Sequence, residues 1–463
     1  MGANVSGWPL ARRVAEAGHM GVVSGTALDL VLARQLQTGD PDGHLRRALD
    51  NFPDADAAAR VVERYFIEGG KSEDEPFKPV PVFSIEPSEK LIELTVIANF
   101  CEVFLAKDGH SGPIGINYLE KIQLPNIYSL YGAMLAGVDY VLMGAGVPRE
   151  IPGILDALCR HEEASLTLDV EGATSEDAFT ARFKPGAYFG GTLTAAKLRR
   201  PEFIAIIASS VLALTLAKKS NGVVNGFVIE LAVAGGHNAA PRGQMKLSDR
   251  GEPIYGPKDK VNIDKIKSTG LPFWLAGGYG TRDGLKTALA EGAKGIQTGT
   301  PFAFCAESGL AEDIKKALIE KALKGDIDIF TDPKASPTGY PFKVARLEGS
   351  ISEDAEYAAR KRICDLGYLR HLYKKEDGRV GYRCPSEPVD VYVKKGGDAQ
   401  ETVGRKCICN GLMANIGLPQ RRRDGYIEKP LVTAGLEMKN IGRFMKDGLD
   451  TYSAQDVIDA IMS

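Results

Sequence analysis

The chain has 463 residues, of which 25% are charged and 44% hydrophobic, a composition typical of folded globular proteins with a core large enough for two or three domains. Its net charge of −3 comes from scattered residues, which excludes the basic footprint of a nucleic-acid binder, and the run QRRRDG at 420–425 reads as a solvated face. No apolar segment reaches the roughly 18 residues of a membrane span, and the N-terminus lacks a signal-peptide core, so the expected compartment is the cytoplasm.

In chain order, seven short apolar runs read as strands. They are GVVSG (21–25), PIGINYL (113–119), VDYVLMGAG (138–146), FIAIIASS (203–210), GFVIEL (226–231), PFWLAGG (272–278) and KGIQTGT (294–300). Each is almost continuously apolar, as parallel strands buried on both faces are. Helical spacing lies between them, at TALDLVLARQL (26–36) and RDGLKTALAEGA (282–293), the second behind Thr281 as N-cap. Two connections exceed ordinary loop length, at about 38–87 and 160–198, and are expected to carry lids or binding loops. Residues 346–463 form a C-terminal extension that ends in a capped amphipathic helix, SAQDVIDAIM (453–462).

Seven cysteines do not suggest a secreted disulfide framework. Cys101, Cys159 and Cys305 sit in apolar segments. Cys364, Cys384, Cys407 and Cys409 crowd the extension. Their first reading is reduced core cysteines, so no metal site is assigned. Four thiolates would nonetheless suffice for one metal ion or an iron–sulfur cluster, and a redox or regulatory pair is a third reading.

Alternating strands and helices allow a (β/α)8 TIM barrel or an open doubly wound sheet. Two glycine pairs choose between them. Gly235 and Gly236 follow one strand, Gly277 and Gly278 the next, 42 positions on, or about one βα unit. In a barrel these ends are neighbours, whereas GGYGTRDG does not fit the dinucleotide fingerprint of an open sheet. The barrel is therefore expected, over residues 1–345. At its last two strand ends, Gly277, Gly278, Gly299 and Thr300 read as a phosphate cradle of bare backbone N–H groups. His237, just past the first pair, can change charge near neutral pH.

The motif AGGH, followed by AGGYGTRDGLKTALAEGAKGIQTGT, resembles the nitronate monooxygenase family, also called 2-nitropropane dioxygenases. The likeness runs over roughly residues 1–310. LARRVAEAGHMGVVSGTAL resembles the family's first helix and second strand, GIN its third strand and AGVDYVLMGAGVPREI its fourth. It implies an FMN-dependent oxidoreductase that oxidises a small carbanionic, nitronate-type substrate with oxygen. It implies His237 as catalytic base. It also implies FMN contacts from Ser24, Gly25, Asn117, Glu230, Gly235, Gly236, Gly277, Gly278, Gln297, Gly299 and Thr300. A small-molecule substrate and a homo-oligomer fit this reading; nucleic acid and membrane do not. Enoyl-ACP reductases share the motifs, so an NAD(P)H-dependent enoyl-thioester reductase is the alternative, and a non-catalytic flavin-binding protein a third. The chain departs from the family pattern at Leu231 and Val233, where a glycine and a glutamate are usual. Met1 and Gly2 align with the end of the family's first strand. That strand is expected to be nearly absent, or the natural chain to start upstream, and the myristoylation pattern MGANVS is discounted accordingly.

Overall fold

A computed structural model describes residues 2–195, 197–446 and 448–463. Its centre is a seven-stranded sheet with every neighbouring pair parallel: β1 (Gly21–Ser24), β2 (Ile114–Leu119), β3 (Tyr140–Gly144), β4 (Glu202–Ile207), β5 (Gly226–Glu230), β6 (Phe273–Ala276) and β7 (Gly295–Gln297). The strands lie side by side in this order. All seven coincide with the expected apolar runs. The expected helices form too, at Leu28–Gln37 and Arg282–Ala290, where the Thr281 hydroxyl accepts the Gly284 N–H at 2.9 Å. The apolar run after β4 continues into the helix Ser210–Lys219. At the C-terminus, Ser453 and Asp456 form a capping box on Ala454–Met462.

Side-chain alternation gives the sheet two buried faces. Val23, Ile116, Val141, Phe203, Phe227 and Leu275 face outward into the main core beneath the helices. Val22, Leu142, Ile204, Val228 and Ala276 face the other way and pack into a separate small cluster. This sheet therefore curls around an inner core of its own, like part of a barrel, in a mixed α/β fold.

Regular structure also occurs where the sequence offered little signal. The helix Glu89–Lys107 is apolar all round and almost wholly buried. The second long connection contains an antiparallel pair, Ala164–Thr167 with Thr180–Phe183. In the extension, His371–Lys374 and Val380–Arg383 form a hairpin. In the run at 420–425 the solvated-face reading holds for the exposed Arg423, Asp424 and Gly425 but not for Arg422. Arg422 is largely covered and pairs with Asp365 (2.6 Å) and Glu428, because the carboxylate of Glu428 is buried and draws the guanidinium inward.

The extension shares cores with the rest of the chain. Val432, Met438, Ile441 and Ile461 pack with Leu10, Phe304 and Leu318. Met413 and Leu418 pack with Leu30 and Phe77. Among the described residues no helix is long and apolar enough to cross a membrane.

Candidate functional site at the C-terminal ends of the strands

The inner face of the sheet is apolar at its base and polar at its C-terminal rim. Ser24 continues the inward row of Val22, and Asn117 that of Gly115; the two lie opposite each other in register. Across the sheet, Glu230 stands opposite Ala276, and Ala276 opposite Gln297. The period-2 pleat alone thus brings Ser24, Asn117, Glu230 and Gln297 to one mouth.

Two polar atoms here are buried without a protein partner, Ser24 Oγ and Asn117 Oδ1. An unpaired buried polar atom costs about 1–3 kcal/mol, so a ligand able to bond to both would recover a substantial free energy. Burial pushes the Glu230 carboxyl up to about 7. Gly25 is tied down differently. Its N–H donates to the Asn117 carbonyl at 2.9 Å, and a Cβ would lie 2.2 Å from the Tyr118 ring, so only glycine fits.

The two glycine pairs have different surroundings. Gly277 has φ +83°, and a Cβ would meet the Leu231 carbonyl at 2.9 Å. Gly278 has φ +85° and is exposed, with Val233 nearest at 3.2 Å from a Cβ position. Leu231 and Val233, the two departures from the family pattern, therefore abut this pair. Gly299 is exposed, with open space where a Cβ would point. Among the described residues, the N–H groups of Gly278 and Gly299 donate to no protein acceptor.

At Gly235 and Gly236 the chain's own C-terminal region fills the space. A Cβ on Gly235 would lie 2.8 Å from the Gly435 nitrogen. The Gly236 N–H donates to Thr433 Oγ1 (2.7 Å), and the Leu436 N–H to the Val233 carbonyl (3.0 Å). Thr300 Oγ1 accepts the Gly435 N–H at 2.8 Å. Glu437 accepts the Gly280 N–H at 2.9 Å, while Arg443 donates to the Gly280 carbonyl at 2.8 Å. Thr433, Gly435 and Glu437 are site-forming residues that sequence reasoning missed. A threonine, a glycine and a glutamate in LVTAGLE carry no local pattern.

His237 lies in a two-residue strand, Gly236–His237, paired antiparallel with Phe342 and Lys343. Its ring packs edge-on against Phe342 (4.9 Å between centroids), and Nε2 shares a hydrogen bond of 2.7 Å with Ser336 Oγ. Burial pushes the imidazole down to about 4, so it is neutral at physiological pH. Lys343, on the paired strand, is pushed down to about 8 by burial and donates to Thr331 Oγ1.

Open backbone donors and unpaired polar atoms at the carboxyl ends of parallel strands are the layout of α/β proteins that bind phosphate-bearing ligands. Residues 194–339 match the nitronate monooxygenase family, so the likeness seen in the motifs holds over this segment, which carries β4 to β7 and both glycine pairs. A curated relative, the (3aS,4S,5R,7aS)-5-hydroxy-7a-methyl-1-oxo-octahydro-1H-indene-4-carboxyl-CoA dehydrogenase of Mycobacterium tuberculosis, is 30% identical over 100 residues. The match takes in 22% of this chain and only 26% of that relative's length. Among solved structures, FabK from Thermotoga maritima is similar with a TM-score of 0.46 and 14% identity, over 99% of this chain and 88% of that one. The enoyl reductase domain of MlnA from Bacillus amyloliquefaciens gives 0.47 and 10%, over 100% and 91%.

Proposed function

We propose that the chain is an FMN-dependent oxidoreductase that oxidises a small carbanionic, nitronate-type substrate with oxygen. The observation that carries this reading is the mouth itself: unpaired Ser24 Oγ and Asn117 Oδ1 at one part of the rim, and the open N–H groups of Gly278 and Gly299, within the segment that matches the family, at another. These atoms fit a flavin mononucleotide. The backbone donors of Gly278 and Gly299, with Gln297, would hold its single phosphate, and Ser24 and Asn117 would meet its ring system. The chain lacks a dinucleotide fingerprint, which favours FMN over FAD.

A closed (β/α)8 barrel over residues 1–345 completes the proposal, with 346–463 as its extension. Residues 3–6 form a turn beside β1. Ser6 accepts the Ser24 N–H at 2.8 Å on one side, and Val5 accepts the Gly309 N–H at 2.9 Å on the other.

A flavin held here would supply the redox chemistry between substrate and oxygen. The protein's share is proton handling and orientation. His237, neutral above about pH 4, can take the α-proton where a neutral nitroalkane rather than its nitronate is the substrate. Ser336 and Phe342 fix the plane of its ring.

A second reading, an NAD(P)H-dependent enoyl-thioester reductase, draws support from the relative named for a CoA ester. Anaerobic mixing separates the two. Rapid flavin bleaching by a nitronate, with oxygen uptake on readmitting air, supports the first. Rapid bleaching by NADH or NADPH, with turnover of an enoyl thioester, replaces it with the second.

A further inference from the structure

Four of the seven cysteines, Cys364, Cys384, Cys407 and Cys409, border a single cavity of about 10 Å3, the room of one water. They reach it from three segments, and all are free thiols. The Cys384 thiol hydrogen-bonds to Cys364. Cys407 is the N-cap of the helix Ile408–Asn415, and Cys409 lies in its first turn. Asn410 Nδ2 approaches Cys407 Sγ at 3.6 Å. The remaining wall includes Ile363, Leu369 and Ile408, which keep the sulfurs dry.

A core that needed only small apolar side chains would close over such a void, because unfilled space is destabilising. Here polarisable sulfurs ring it instead. Among the described residues, no three His, Cys, Asp or Glu side chains are gathered on one point as a single metal ion requires. The four thiols border one cavity in common without converging on a point, so a cluster bound by all four would have to widen it from the room of one water.

We propose that Cys364, Cys384, Cys407 and Cys409 are the ligands of an iron–sulfur cluster. On binding, four S–H bonds give way to four bonds from iron to thiolate, and the protons leave to solvent. The cluster lies beside the mouth. Pro337 borders its cavity, and the preceding residue, Ser336, holds His237 Nε2. It also joins segments that have little regular structure of their own: no helix or strand among the described residues spans 360–370.

The test uses the full chain, purified anaerobically, then stripped and reconstituted with ferrous iron and sulfide. The expected result is equal iron and acid-labile sulfide, about two or four of each per chain, retained through gel filtration. X-ray absorption at the iron edge should show an all-sulfur shell. Cys407→Ser with Cys409→Ser should lower iron more than tenfold, and Cys159→Ser should leave it unchanged. The proposal is overturned by about one zinc per chain with no iron taken up, by a folded chain that takes up neither metal, by oxygen or nitrogen ligation at iron, or by full iron and sulfide in the double variant.

Discussion

Gly277 and Gly278 follow β6 directly, whereas residues 231–234 separate Gly235 and Gly236 from β5, and the two pairs serve different neighbours. The first pair is closed by protein: Gly435 passes at contact distance and Thr433 takes the Gly236 N–H. The second pair stays open, with the Gly278 N–H uncommitted among the described residues. The same dipeptide therefore admits a backbone in one place and leaves room for a ligand in the other. Glycine marks close approach, but not what approaches.

The comparison can be broken by substitution, beginning with the residue just beyond the closed pair. His237→Ala should retain flavin and lose about 10²–10⁴-fold in kcat on a neutral nitroalkane, which must be deprotonated. Steady-state oxygen uptake measures this, and full turnover would remove His237 from the role of base. At the open pair, Gly278→Val should weaken flavin binding at least about tenfold, since φ +85° alone disfavours a side chain by roughly 1–2 kcal/mol. Flavin fluorescence during titration reads the affinity. At the closed pair, Gly235→Ala should instead lower stability by about 1–3 kcal/mol by pushing residues 434–435 away, with flavin affinity nearly kept in the folded fraction. Denaturant unfolding checks it; an unchanged midpoint would mean that the tail yields without cost.

The smallest effect concerns pH. The folded state holds the Glu230 proton up to about pH 7, against 4.5 ordinarily, so the folded state is favoured while the carboxyl is protonated. That advantage is full below about 4.5 and is lost as pH rises through 7. Flavin-free Glu230→Gln should therefore melt with wild type at pH 4 and above it at pH 8. Parallel melting curves at both values would show that Glu230 ionises without penalty.

The central sheet was legible because burial on both faces makes each strand a short apolar run, and the pleat then places Ser24, Asn117, Glu230 and Gln297 on one side. The glycine pairs were legible as close approaches for the same local reason. The helix Glu89–Lys107 escaped because a helix buried all round has no amphipathic stripe to read. The closure at Gly235 escaped because Thr433 and Gly435 lie some two hundred positions away, and single contacts at that separation leave no periodic trace. Arg422 misled for a similar reason: its partners Asp365 and Glu428 are visible only in three dimensions.

The bond between Thr300 and Gly435 spans 135 positions. During synthesis, the strands of the central sheet are complete long before residues 433–437 exist. Until those residues arrive, the Gly236 and Gly280 N–H groups lack their protein acceptors, and the rim beside β5 and β6 stands open to water. A growing chain therefore passes through a stage in which its sheet can be in place while its mouth is unfinished, and the order of translation itself sets when a ligand first meets the completed site.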